Sequence, residues 1–416
     1  MVLKELSPTL NQSFHSVLMS ESIPKRAFRV LQEDGVTKFS QKAIQFIYRQ
    51  CGDTAFSVKN GEIGRLSAEE TQVEPSDSIA ITYNGESKSS LPALLSRMEK
   101  EIGTSQRQIL EFEDAKLFGQ PLFVNVGWKY FYPTSVGNSR SNFSSSKHPL
   151  QELVPPKPVG DEQLEFGFVI GGNRSGFAHW FYEQLPKLYW YEAYCTKTDS
   201  KPELIVSGEL SKWQTHSLEL VGYPPDDYVQ HQGPEVIDID RLSVPPHPRR
   251  TRGGEFQVCP SAIKWVRDRI ISNISSNSTS FPDRVYVSRA DADRRQVINE
   301  NEVVSLLKQY GFESFEPGRL SFDDQVRLFA NADVVVGPHG SGLTNMIYGE
   351  NVKILELMTE ESGEHFFVLA NECDHSYEFL LCEPANDENI KPRHRDMSVD
   401  LHSLEDRLNF LLDDSQ

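Results

Sequence analysis

The sequence predicts an α/β protein built on parallel sheets, and three observations carry that reading. Between Glu203 and Asp238, short apolar strand candidates alternate with a helix candidate. Between Arg284 and Leu357 the order is strand, helix, strand, helix, strand, helix, strand, which is a Rossmann-like half. At the centre of that second run, Val334-Val335-Val336 stops at Gly337-Pro338. It leads through His339-Gly340-Ser341-Gly342 into Leu343-Thr344-Asn345-Met346-Ile347: a buried strand, a tight turn and a helix start.

Composition bounds the answer. At 416 residues the chain exceeds one ordinary domain, and two or three are expected. Apolar residues make up 38% and charged residues 25%, the balance of a soluble globular protein. The formal charge is −18, from 60 acidic side chains against 42 Lys and Arg. A surface of that sign repels a phosphate backbone, which excludes non-specific nucleic-acid binding. A salt-adapted host and an ordinary acidic cytosolic protein both fit it. Cys51, Cys195, Cys259, Cys373 and Cys382 are scattered, so neither a zinc site nor a disulfide framework is expected. Met1 to Leu18 carries Lys4, Glu5, Asn11, Gln12 and His15, which is no signal peptide. No apolar run is long enough to span a bilayer. A cytoplasmic location is the expectation, with the sequons at Asn11, Asn142, Asn273 and Asn277 as chance matches.

Taken in order, residues 1–115 read as an N-terminal extension or capping region. A short amphipathic helix is expected over Lys42–Arg49, and mixed polar helix or loop over Ser89–Gly103. Residues 116–250 form a first Rossmann-like domain. In it Leu122–Val126 has strand character and Pro133–Pro158 is a Ser/Pro/Asn-rich surface loop. Phe166–Ile170 is a strand, Gly171–Gly176 a turn, and Phe177–Leu188 helical, kinked or ended by Pro186. Glu203–Val206 is a buried strand, Trp213–Gly222 a helix closed by glycine, and Tyr228–Gln230 and Glu235–Asp238 short strands. Pro245–Pro248 and Arg249–Gly254 read as an interdomain linker.

Residues 251–390 form the second Rossmann-like domain. It opens with a helix over Ser261–Ser272, striped by Ile263, Val266 and Ile270. A strand over Arg284–Arg289 ends in a cation. Helix Asn299–Tyr310 presents Val303, Leu306 and Leu307 on one face, and strand Phe312–Phe315 follows. Helix Leu320–Asn331 carries Ser321 and Asp324 in an N-cap arrangement. The strand–turn–helix and a last strand, Val352–Leu357, complete the run. Residues 391–416 hold a C-terminal amphipathic helix over Leu401–Leu412.

Two patterns carry chemistry. The turn at His339–Gly342 places backbone N–H groups at a helix N-terminus, which suits a phosphate. It lacks the third glycine of GxGxxG and the Gly-Lys-Ser/Thr of a P-loop, and such glycines also serve backbone geometry alone. Arg289 and Arg295 are expected at the same ends of the sheet. They suit bidentate contact with phosphate oxygens, or pair with Asp291 and Asp293 as surface ions. The second pattern is His179 and Glu183, four apart and so on one helix face. An imidazole beside a carboxylate is the make-up of an acid/base site, or a polar pair at a helix start. Asp291-Ala292-Asp293 spells a DxD metal motif. Arg294 and Arg295 stand beside it and can do a metal's electrostatic work.

Several blocks occur together: YVSR (286–289), RR (294–295), NE (299–300), LSFDDQVRLFANADVVVGPHGSGLTNMIY (320–348) and ILEL (354–357). With NRSGFAHWFYEQLPKLYW (173–190) upstream, they resemble glycosyltransferase family 61 over about Gly167–Leu357. Ser341 stands where that family often has alanine. The resemblance implies a GT-B architecture, two Rossmann-like domains facing across a cleft. The first takes the acceptor and the second the nucleotide-sugar donor. It implies an inverting transferase that needs no metal or other cofactor and glycosylates a hydroxyl of a glycan or lipid-linked glycan.

On that reading the donor diphosphate lies on Arg289, Arg295 and the N–H groups of Gly340, Ser341, Gly342 and Leu343. Glu356, at a strand end, bonds the ribose. His339 contacts the donor phosphate or sugar, and Asn345 braces the turn. Glu183 or His179 takes the acceptor proton. A lipid-linked acceptor would bring peripheral contact with the inner face of the membrane, for which no basic amphipathic helix is seen. Oligomeric state is not legible. Competing readings are a metal-dependent GT-A transferase built on the DxD, a non-catalytic nucleotide- or sugar-binding protein, and an NAD-dependent oxidoreductase. The last wants GxGxxG with an acid about twenty residues on, which Gly171–Gly176 does not spell.

Overall fold

The structure, a computed structural model, describes residues 67–74, 77–81, 83, 100–104, 107–119, 122–127, 129–131, 163–171, 176–232, 236–248, 250–252, 255–257, 259–275, 280–385 and 390–413. The helix expected over Lys42–Arg49, the Pro133–Pro158 loop and Gly172–Ser175 lie outside them. It is an α/β protein with parallel sheets, as the alternation of elements predicts.

The first half holds β1 (Glu69–Glu74), the hairpin β2 (Asp77–Ile81) and β3 (Lys100–Thr104), β4 (Arg107–Phe118), β5 (Phe123–Val126), β6 (Lys129–Phe131) and β7 (Gln163–Val169). After these come β8 (Glu203–Ser207), β9 (Tyr228–His231) and β10 (Ile237–Val244). The eight-stranded sheet runs β6-β5-β4-β10-β7-β8-β9, with β1 also paired to β4. Strands β10, β7, β8 and β9 are mutually parallel, whereas β4 is antiparallel to β10, β5 and β1. The sheet is therefore mixed. Residue 115 falls inside β4, whose Ile109, Phe112, Ala115 and Leu117 are buried.

The expected helix over Phe177–Leu188 does not form as one helix. A short α1 (Phe177–His179) passes into a π-helical turn, Trp180–Gln184, and α2 (Lys187–Thr198) begins after Pro186. Proline has no N–H to give, so it starts a helix more readily than it continues one. The bond from Leu185 N–H to Trp180 O, 2.9 Å, closes the wide turn. Such turns inside helices are frequent at functional sites. Helix α3 (Lys212–Leu220) follows β8, opened by a capping box of Ser211 and Gln214. Of the expected linker, Pro245 to Pro248 is buried.

After the small hairpin β11 (Arg250–Arg252) and β12 (Glu255–Gln257), helix α4 (Pro260–Asn273) leads into the second half. There β13 (Arg284–Val287), β14 (Glu313–Phe315), β15 (Val334–Pro338), β16 (Lys353–Met358) and β17 (Ser376–Leu381) form an all-parallel sheet in the order β14-β13-β15-β16-β17. Helices α5 (Glu300–Gln309), α6 (Phe322–Asn331) and α7 (His365–Glu372) accompany it. A last hairpin, β18 (Glu383–Pro384) with β19 (Met397–Ser398), precedes α8 (Leu401–Leu412).

Both faces of this sheet are covered, as a parallel sheet requires. Val335 and Ile354 face one apolar cluster, while Val334, Val336, Leu355 and Leu357 face another that includes Leu404 and Leu408 of α8. The first of these clusters also takes in Phe168, Ile170, Leu204 and Val206 beside the first sheet. Among the described residues, no helix is long and apolar enough to cross a membrane.

Candidate active site

Chain order in the second sheet reverses between β13 and β15. In open α/β sheets, ligands bind beyond the carboxyl ends of the strands at such a reversal. The sequence places its basic and glycine-rich motifs there. The parallel register sets Tyr286 beside Val336, so Arg289 and His339, each three residues on, leave the sheet side by side. The Arg289 guanidinium lies against Gly340. A Cβ on Gly340 would stand 1.8 Å from Nη1 and 2.5 Å from Cζ, so the absent side chain is what lets the cation approach.

The turn then enters a 3₁₀ helix, Ser341–Tyr348. Its first internal bond runs from Leu343 N–H to Gly340 O at 3.0 Å. The amides of Gly340, Ser341 and Gly342 precede that bond, as in any helix start. The Leu343 amide is used inside the turn, and its side chain is wholly buried. Asn345 braces the bend: its Nδ2 donates to Gly342 O at 3.2 Å and to Gln325 Oε1 at 3.1 Å.

Behind the turn, His339 Nδ1 bonds Glu356 Oε1, and Tyr377 OH donates to Glu356 Oε2 at 2.6 Å. Glu356 is wholly buried, with both oxygens occupied by protein donors. His339 N–H also donates to Leu357 O at 2.8 Å, fixing the residue at both ends.

Arg295 adopts a left-handed backbone, φ 58°, a strained conformation of the kind found at ligand sites. Burial, then the charge of Arg289, push its pKa down to about 10; Arg294 and Arg393 add to this and Glu356 opposes it. Burial likewise lowers Arg289, against the pull of Asp291 and Asp396. Arg289 Nη2 donates to Arg294 O at 3.2 Å. Among the described residues, no carboxylate lies within ion-pair distance of either guanidinium. Asp291 and Asp293 are exposed, and no group of three His, Cys, Asp or Glu side chains among the described residues could hold a metal ion.

The second motif packs against the first. Helix α1 contacts the 3₁₀ helix, and Phe181 in the π turn meets the Tyr348 ring edge-on at 6.2 Å. Phe181 also stacks on Phe322 of α6 at 5.5 Å. Next to this contact, His179 Nδ1 bonds Glu183 Oε1 at 2.9 Å, and His247 Nε2 lies 3.5 Å from Glu183 Oε2. Burial works to raise the Glu183 carboxyl. Hydrogen bonds from His179 and His247, with their charges, outweigh it and hold Glu183 far below the usual carboxylate range. One turn on, Lys187 is fully buried and donates to Ile170 O and Gly171 O at 3.3 and 3.2 Å. Burial lowers its pKa to about 7, opposed by Glu183.

His247 and Lys187 were not singled out from the sequence. Lys187 had a signal, since His179, Glu183 and Lys187 repeat every four residues. His247 had none, because it reaches Glu183 from Pro245–Pro248, a segment that reads as linker. A cavity of about 520 Å³ lies elsewhere, walled by Tyr191, Cys195, Lys201 and Tyr223. Burial raises both of its tyrosines far above their ordinary value, which leaves them no use as acids near neutrality.

Residues 177–361 match the family described as Glycosyltransferase 61. The EGF domain-specific O-linked N-acetylglucosamine transferases of Gallus gallus and Bos taurus are 31% and 34% identical to this chain over 70 residues. That of Drosophila melanogaster is 35% identical over 69 residues. Each match spans 16% of this chain and 13% of the relative. The matched stretch, 177–361, holds both motifs of the candidate site, and in it the chain is similar to the glycosyltransferase 61 family.

Proposed function

We propose that this domain transfers a sugar from a nucleotide-sugar donor to a hydroxyl of a glycan or glycolipid acceptor, without a metal and with inversion. One observation carries the reading. In a chain of net charge −18, Arg289 and Arg295 lie together at the sheet reversal with no carboxylate within ion-pair distance among the described residues. Burying like charges side by side is costly unless an anion joins them. A diphosphate fits: the guanidinium pair and the amides of Gly340, Ser341 and Gly342 offer donors on its perimeter. The same groups stabilise charge as the nucleoside diphosphate leaves, which is the work a metal does in other transferases. The relatives' name makes an activated N-acetylglucosamine the first donor to try.

For the base, the geometry favours His179. A carboxylate held at very low pKa is a poor proton acceptor, and Glu183 is so held. Accepting from His179 Nδ1–H, it orients the ring and leaves Nε2 as the acceptor nitrogen. The His179 side chain is 33% exposed, against 15% for Glu183 and 7% for His247, so substrate reaches it most easily. Glu356, enclosed between His339 and Tyr377, is assigned to hold His339 rather than a ribose.

The test is a thermal-shift screen of nucleotide sugars, with Mg²⁺ and with chelator, on wild type and Arg289→Ala. A ligand at 100 times its Kd adds about 2.7 kcal/mol of stability. The expected result is a chelator-insensitive shift in wild type that the variant loses. If no nucleotide sugar stabilises wild type, or the variant keeps the shift, the donor site is elsewhere.

A further inference from the structure

We propose that the turn Lys391–Arg395 forms a third wall of the anion site, and that Arg393 with His394 holds one phosphate of a diphosphate whose other phosphate lies on Arg289 and the Gly340–Gly342 amides. The inference rests on the donor site proposed above and adds an element outside the family match, which ends at residue 361.

The placement follows from how the chain returns. Residues 395–399 are stitched to residues 296–299. Val297 and Met397 form a parallel bridge; Met397 N–H donates to Gln296 O at 2.9 Å and Ile298 N–H to Met397 O at 2.8 Å. Asp396 Oδ1 accepts the Gln296 N–H at 2.9 Å. The Asn299 side chain brackets Val399 with bonds of 2.8 and 3.0 Å. In parallel register, the residues just upstream of one run lie beside those just upstream of the other. Arg393 and His394 are thereby brought to Arg294 and Arg295.

The turn itself is ordered. Pro392–His394 is a 3₁₀ turn, with His394 N–H on Lys391 O at 2.7 Å and Arg395 N–H on Pro392 O at 3.1 Å. Arg395 Nε donates to Ile390 O at 3.4 Å. Arg393 is exposed and its Nε donates to His394 Nε2 at 3.4 Å, which leaves the His394 proton on Nδ1.

The electrostatics agree. Burial and then Arg294, Arg393, Arg295 and Lys391 hold His394 below its ordinary value, and Arg393 helps depress Arg295. Asp291, Asp396 and Glu356 offset part of this field without forming an ion pair with Arg289 or Arg295 among the described residues: Asp396 Oδ1 accepts the Gln296 amide, and Glu356 is held by His339 and Tyr377. Arg289 Nε, Arg295 Nε and His394 Nδ1 are enclosed without an acceptor. Cations gathered this way on an acidic protein suit a ligand with two anionic centres rather than one.

The experiment is calorimetric titration of the full chain with inorganic pyrophosphate and, separately, orthophosphate at one ionic strength. Arg393→Gln should weaken pyrophosphate about tenfold and leave orthophosphate within about twofold. Arg289→Gln should weaken both. If Arg393→Gln leaves pyrophosphate unchanged while Arg289→Gln weakens both anions, the third wall is wrong and the donor site stands. If neither anion binds wild type, or Arg289→Gln affects neither, the donor site falls and this inference with it. Arg393→Lys, which keeps the charge, should recover part of the pyrophosphate affinity; no recovery would mean the loss came from a disturbed turn.

Discussion

Glu183 sits between His179 and His247, with Lys187 one turn on, so the cluster on the first half balances its own charge. Across the contact of α1 with the 3₁₀ helix, Arg289 is the strongest charge acting on Arg295, while Asp291 and Asp396 pull on Arg289 without pairing with it. The first region is a closed network, in which every group orients a neighbour. The second gathers cations without an ion-pair partner among the described residues and is where the proposed anion would bind. A transferase needs both kinds of site, one tuned for proton movement and one left cationic for a leaving group.

The largest expected effect tests the closed network. His179→Ala should lower kcat by roughly 100- to 10,000-fold, the range for loss of a general base, with donor affinity unchanged. Glu183→Gln keeps the shape but weakens the hold on the ring, so it should cost less and alter the pH profile of kcat. Steady-state assays with a saturating donor decide the order. A Glu183→Gln enzyme that is dead beside a His179→Ala enzyme that turns over would reverse the two roles.

A smaller effect tests the cationic site. In Gly340→Ala the new Cβ meets the end of the Arg289 side chain, not backbone, so the fold can absorb it by swinging the guanidinium aside. The melting temperature should stay near wild type while nucleotide affinity falls about tenfold, the value of one charge-assisted hydrogen bond. Unchanged affinity, measured by calorimetry, would show that Arg289 does not need its place against Gly340.

The same contrast governs what could be read from the sequence. The cationic site lies within a few residues of strand ends, so local pattern reached it: the Val334–Val336 run, the breaking Gly337-Pro338 and the arginines after β13. Asn345 braces the turn with short-range partners and was legible for the same reason. His247, Tyr377 and the Lys391–Arg395 turn reach the site only through the tertiary fold, and no local period announces them. The mixed first sheet was missed because β4 pairs with β10 more than a hundred residues away. The alternation around Glu203 reveals only the parallel part.

The smallest effect concerns Lys187, which joins the closed network to the end of β7. Its folded pKa, about 7, lies below the 10.5 of an ordinary lysine. Below pH 7 both states carry the proton, and stability bears the full penalty of a buried charge. Between 7 and 10.5 the unfolded chain binds more protons than the folded one, so stability rises with pH, approaching ~1.4 kcal/mol per unit. Denaturant titrations at pH 7 and pH 8 should show wild type gaining about 1 kcal/mol more than Lys187→Met across that unit. Lys187→Met removes the titrating group but keeps an apolar stem, so comparing slopes cancels every other group that ionises in the window. Equal slopes would mean that Lys187 stays protonated in the folded chain, its charge satisfied by Glu183 and the two carbonyls at the strand end.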